Sequence, residues 1–163
     1  MDNNRRFVLA LLPLFAGMAF AQAPSHLTVN VPGKEPLRLT KVELARMPRA
    51  TVEAKNDGIA VTYQGVWLHD VLKAAGAPGG SDLRGKALAS YLVATAQDGY
   101  QAVYSLAEID PVFTDNQVLL ADVSDGKTLT GAVGPFRLIA PKDKRGARSV
   151  RMLEKIEVVL LRK

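Results

Sequence analysis

The chain has no cysteine, only two histidines (His26 and His69), and few aromatic residues: one tryptophan, four tyrosines and five phenylalanines in 163 residues. Each shortage excludes something. Without cysteine no disulfide can staple the fold, so packing alone must hold it. Thiolate nucleophiles, iron–sulfur clusters and cysteine-rich zinc sites are excluded on the same ground, and two histidines are too few for a His-rich metal site. The common catalytic signatures are missing too. There is no Gly-rich phosphate loop leading into a lysine, no nucleophile elbow, and no close carboxylate pair in an apolar frame.

Long hydrophobic runs are also scarce. The longest, Phe7 to Phe20, is interrupted by Pro13 and Gly17 and falls short of the roughly 20 apolar residues a bilayer crossing needs. Arg5 and Arg6 precede it and Ala21-Gln22-Ala23 follows, a small-x-small pattern that predicts a cleaved signal peptide over residues 1–23. The expected product is a single domain over residues 24–163, periplasmic and not membrane-spanning after cleavage, and large enough to bury a core. Arg5-Arg6 followed by Phe7-Val8-Leu9 partly fits a twin-arginine signal, whereas the leucine- and phenylalanine-rich run suits export of an unfolded chain.

What the sequence does have is positive charge, +5 overall, and it is unevenly spread. Between positions 137 and 151 lie Arg137, Lys142, Lys144, Arg145, Arg148 and Arg151 against one acid, Asp143. Such clustering favours an anionic partner. For Lys142 to Arg145 alone, a solvated loop is the plainer reading. An exported chain with so few aromatics near its basic run is not expected to bind nucleic acid.

Periodicity supplies the elements. Leu27 to Val31 alternates as a strand, with Leu37 to Leu39 beside it across Pro32-Gly33. Thr40 with Glu43 is a capping box for a short helix that Pro48 stops, and Ser105 with Glu108 is a second. Leu68, Val71, Leu72 and Ala75 fall at i, i+3, i+4 and i+7, with Gly76 past the end, which predicts the clearest helix. Trp67 is read as opening that helix and His69 as lying on its exposed face. Strands are expected at Val52–Ala54 and Ile59–Tyr63 around Asn56-Asp57-Gly58, at Tyr91–Thr95, Tyr100–Tyr104, Val118–Val123 and Lys127–Thr130, and at Phe136–Ala140 and Ile156–Leu161. Asp125-Gly126 is a strong hairpin signal. About eight strands and two or three short helices make the class α+β, with a mixed, largely antiparallel sheet.

Four stretches then carry a resemblance. They are Gly65-Val66-Trp67-Leu68 with Asp70-Val71-Leu72 and Ala75-Gly76, Asp98-Gly99-Tyr100 with Ser105-Leu106-Ala107-Glu108, Leu119-Leu120-Ala121 with Asp125-Gly126 and Leu129, and Gly134 to Pro141 followed by Gly146-Ala147-Arg148-Ser149-Val150-Arg151. In this order and spacing the chain resembles the molybdopterin-binding domain of sulfite-oxidase-type oxidoreductases, over roughly residues 59–160. The resemblance implies a site for a pterin bearing a dithiolene and a phosphate tail. Arg137 would contact the cofactor, as would Ser149, Val150 and Arg151 after the Gly-Ala-Arg stretch, partly through backbone groups, with Arg148 beside them. A phosphate suits arginine's planar fork, and N–H groups near Ser149 would add donors if a helical turn begins there. Tyr100 and Tyr104, at i and i+4 of a strand, share one face and are candidate ring-stacking walls. The competing reading pairs Arg137 and Arg148 with carboxylates such as Asp110 or Asp122.

The sequence departs from the family at the metal. Catalytic members bind molybdenum through a cysteine before the Gly-Val-x-Leu helix, and none exists here; Ala132 and Met152 replace a histidine and an aromatic. The expectation is therefore an exported domain that binds a molybdopterin-like pterin without independent redox catalysis, with a membrane sensor or redox protein as partner. The alternatives are an active molybdenum oxidoreductase with a non-cysteine metal ligand and a structural anion-binding periplasmic protein.

Overall fold

The computed structural model describes residues 26–56 and 58–161. The expected signal segment and Asp57 of the Asn56-Asp57-Gly58 turn lie outside the described residues. In chain order the elements are β1 (Leu27–Asn30), β2 (Leu37–Leu39), α1 (Lys41–Ala45), β3 (Ala50–Asn56), β4 (Ile59–Trp67), α2 (Leu68–Ala74), β5 (Tyr91–Ala96), β6 (Gln101–Ser105), α3 (Leu106–Ile109), β7 (Leu119–Ser124), β8 (Lys127–Thr128), β9 (Arg137–Ile139) and β10 (Leu153–Val159). The α+β class holds, with ten strands and three short α-helices among the described residues.

The strands form two sheets. One runs β2-β1-β10-β5-β6, and the other β3-β4-β7-β8 with β9 also against β7. Every pairing is antiparallel except β1 with β10, which joins the two ends of the described chain in parallel register, Val29 opposite Ile156. The first sheet reads as expected from alternation: in β5, Leu92, Ala94 and Ala96 point into the core while Tyr91, Val93 and Thr95 are only partly covered.

The second sheet is covered on both faces, and this explains its unbroken apolar runs. Leu120 of β7 and Leu138 of β9 join the main core with Val66, Leu68 and Phe136. Their neighbours Leu119, Ala121 and Ile139 turn the other way, into a smaller cluster with Tyr63 and Leu129. Gly65 makes this stacking feasible: a Cβ there would collide with the Leu120 carbonyl and lie 2.7 Å from the Ala121 Cα. Only a residue without a side chain fits so near the backbone of the next strand.

Both capping boxes form. The Thr40 hydroxyl accepts from the Glu43 amide at 3.3 Å, and the Glu43 carboxylate accepts from the Thr40 amide at 2.7 Å. That amide, then the hydroxyl, holds the Glu43 carboxyl below its usual range. Helix α2 buries Leu68, Val71 and Leu72 as its spacing requires. Trp67 opens the helix as its N-cap residue while also ending β4, and it packs beside the smaller cluster. His69 is partly buried, with Nε2 3.1 Å from the Asp70 carboxylate. Among the described residues no helix is long and apolar enough to cross a membrane.

Candidate functional site

Alternation on β9 places Arg137 on the same side as Ile139, toward the smaller cluster, while Leu138 faces the main core. Arg137 is therefore buried, 8% exposed. Its Nη1 donates to the Tyr63 hydroxyl of β4 at 3.1 Å, and Nη2 reaches the Asn56 side-chain oxygen at the end of β3 at 3.4 Å. The guanidinium carbon also lies 5.4 Å from the centre of the Tyr63 ring, within cation–π range. Two strands thus fix one arginine, and a fixed planar fork is what anion recognition uses best.

Arg137 forms part of the wall of a depression of about 390 Å³ shared with Ala54, Lys55, Asn56, Tyr63, Ile139, Gly146, Ser149 and Arg151. Three cations and no carboxylate line it, so its field selects an anion. A second depression of about 260 Å³ adjoins it, lined by Asp98, Tyr100, Ala147 and Val150 together with the shared Gly146, Ser149 and Arg151. A third depression, about 450 Å³, shares no residue with these two. It is lined by Asp70, Asp82 and Asp110 with Lys73 as its one basic residue apart from His69, and that charge is the wrong sign for a phosphate.

The expected site residues divide accordingly. Arg137, Ser149 and Arg151 come together, as the sequence suggests, and Tyr100 borders the second depression with its hydroxyl donating to the Ala147 carbonyl at 2.7 Å. Tyr104 lines neither depression. Unlike Tyr100, which is half-exposed, Tyr104 is 1% exposed, and its hydroxyl donates to the Arg148 carbonyl. Arg148 is not at the depressions either: it donates twice to Asp143, at 2.8 Å each, and once to Glu108 at 2.9 Å. Carboxylate pairing therefore accounts for Arg148, although through Asp143 and Glu108. Asp122 instead pairs with Arg49, and Asp110 accepts from the Gly80 and Val112 amides.

Val150 borders the second depression, yet it is 1% exposed and packs in the main core. The backbone donors expected around Ser149 are spent locally. A single 3-10 turn, Gly146–Arg148, does form, but Ser149 and Val150 follow its end: their amides donate to the Gly146 and Arg148 carbonyls at 2.9 Å each. The Ser149 hydroxyl accepts from the Ala140 amide at 3.1 Å. Lys55, Asn56, Tyr63 and Gly146 are the site residues that sequence reasoning missed.

The fit of the expected cofactor can be judged from these donors. Arg137, Arg151, Lys55 and Ser149 suit the phosphate of a molybdopterin. For its metal the chain offers no thiolate, and among the described residues no three His, Asp or Glu side chains cluster as a metal site.

Fold and site together define a small α+β binding domain with a cationic recess. The chain belongs to the oxidoreductase molybdopterin-binding domain family, whose model matches residues 18–161. Among solved structures it is similar to the sulfane dehydrogenase SoxCD from Paracoccus pantotrophus, with a TM-score of 0.60, 21% identity, and 82% of this chain covered. The match spans 37% of the chain it is compared with, and at this identity the likeness concerns the fold. No curated protein matches it by sequence.

Proposed function

We propose that this domain binds a molybdopterin or related pterin through its phosphate, at the recess formed by Arg137, Arg151, Lys55 and Ser149, and performs no redox turnover on its own. The observation that carries the reading is the buried Arg137, fixed by Tyr63 and Asn56 in a recess lined by three cations and no acid. Bound with molybdenum, such a cofactor supplies oxygen-atom exchange at the metal. The residues here hold an anionic tail and offer no soft ligand to anchor or tune a metal. The signal-like N-terminus supports a periplasmic protein, and a loaded domain of this kind would present its ligand to a membrane sensor or redox partner.

The test is to purify the protein from a host that makes the cofactor and analyse what accompanies it. Pterin at one equivalent with little molybdenum supports the proposal. Stoichiometric molybdenum supports an active oxidoreductase with a non-cysteine ligand. Neither pterin nor metal leaves a structural anion-binding protein. N-terminal sequencing of the same material should begin at or near Pro24.

A further inference from the structure

The depression of about 450 Å³ beside α2 and α3 has a lining opposite in sign to that of the anion recess. Asp70, Asp82 and Asp110 face a single ammonium, Lys73, in a chain whose overall charge is +5. Asp110 is the buried member, 8% exposed. Its Oδ2 accepts from the Gly80 amide at 2.7 Å and its Oδ1 from the Val112 amide at 2.9 Å, and among the described residues no ion pair includes it. A carboxylate can accept about four such bonds, and a covered one gains most from a positive partner. His69, in the same lining, sets its Nε2 3.1 Å from the Asp70 carboxylate, while its Nδ1 is covered and has no partner. With the ring proton on Nε2, Nδ1 is an acceptor, and a buried acceptor without a partner counts in favour of a donor ligand.

Two observations choose among cations. Among the described residues no three His, Asp or Glu side chains stand close enough to hold one metal ion, so these carboxylates are spread along the cavity. The same lining includes Leu72, Leu106, Ile109 and Val112, an apolar surface that a hydrated metal ion would not use. Spread charges with apolar surface among them suit a carbon chain bearing ammonium groups, and the volume falls in the range of about 300–1,000 Å³ usual for small-molecule sites. Three carboxylates less one ammonium leave two charges for a ligand to balance. We infer that this cavity binds an organic dication, an aliphatic diamine. One ammonium meets Asp110, the other meets the outer acids Asp70 and Asp82, and the carbon chain lies against Leu72, Leu106 and Ile109. The site is separate from the anion recess and does not rest on the proposed function.

The experiment titrates diaminobutane into the wild-type protein by calorimetry, with butylamine and calcium as comparison probes. Wild type should bind diaminobutane saturably at one equivalent, butylamine at least about tenfold more weakly, and calcium not at all. Asp110→Asn should weaken diaminobutane binding at least about tenfold. Because Asp110 also holds the Gly80 and Val112 amides, a second variant, Asp70→Asn with Asp82→Asn, removes charge without touching those bonds. It should lose at least about tenfold in affinity while keeping the wild-type melting temperature. Absence of saturable diaminobutane binding by wild type overturns the inference, as does equal affinity in the Asp70→Asn, Asp82→Asn protein. Butylamine binding as tightly as the diamine, or calcium displacing it, overturns the dication assignment in the same way.

Discussion

Arg148 and Tyr104 hold each other at both ends: the Tyr104 hydroxyl donates to the Arg148 carbonyl, and the Arg148 guanidinium lies 4.7 Å from the centre of the Tyr104 ring. With Tyr100 on the Ala147 carbonyl, Tyr104 of β6 and Tyr100 just before that strand clasp the turn Gly146–Arg148, which Ser149 and Arg151 follow. Asp143 and Glu108 complete the clasp from the other side of the guanidinium, and Asp143 above all keeps that group charged.

This clasp has a pH signature. Burial pushes the Tyr104 hydroxyl above its ordinary value of 10.0, an effect the nearby Arg148 opposes only in part. A phenol whose folded pKa lies above its unfolded one favours the fold fully below about pH 10 and progressively less above it, by up to about 1.4 kcal/mol per pH unit. Tyr104→Phe should cost about 1 kcal/mol at neutral pH, by losing the hydroxyl and leaving the Arg148 carbonyl unpaired. The variant should also lose part of the alkaline slope. Urea denaturation at pH 7, 10 and 11 measures both.

Leu72 is 5% exposed on the inner face of α2. Leu72→Ala should destabilise the domain by about 2–5 kcal/mol. A loss below about 0.5 kcal/mol in denaturant titration would mean that the helix is wrongly phased.

Gly65→Ala should be more harmful than its size suggests, about 3 kcal/mol or more, because the new methyl would strike the β7 backbone rather than a movable side chain. A variant of near wild-type melting temperature would contradict the close approach of β4 and β7.

Much of this was legible in the sequence wherever the signal is local. The boxes Thr40/Glu43 and Ser105/Glu108, the 68-71-72-75 stripe and the Asp125-Gly126 hairpin each need only a few neighbouring residues, and each forms. Non-local pairings set the rest. β4 runs on to Trp67 because Gly65, Val66 and Trp67 pair with β7, while the sequence there resembles a helix start. β10 begins at Leu153, three residues earlier than its alternation suggests, because β5 receives it from Ala96 onward. Within the site, Arg137, Ser149 and Arg151 were readable from the resemblance, and Tyr100 as a bordering ring. Asn56 carried only a turn signal, Tyr63 only a strand signal, Lys55 no signal, and nothing local marks Gly146 as open. Tyr104 and Arg148 were assigned to the ligand because a sequence does not show that each has the other, with Asp143 and Glu108, as partner.

The central claim is that Arg137 and Arg151 hold an anionic cofactor tail. Its most direct measurement is the dissociation constant of a pterin alkyl phosphate for wild type and for the Arg137→Ala, Arg151→Ala double variant, with folding of both confirmed by circular dichroism. Charge-assisted bonds contribute roughly 1.5–3 kcal/mol each, so the double variant should bind at least about a hundredfold more weakly. Equal affinity in the two proteins would contradict the account.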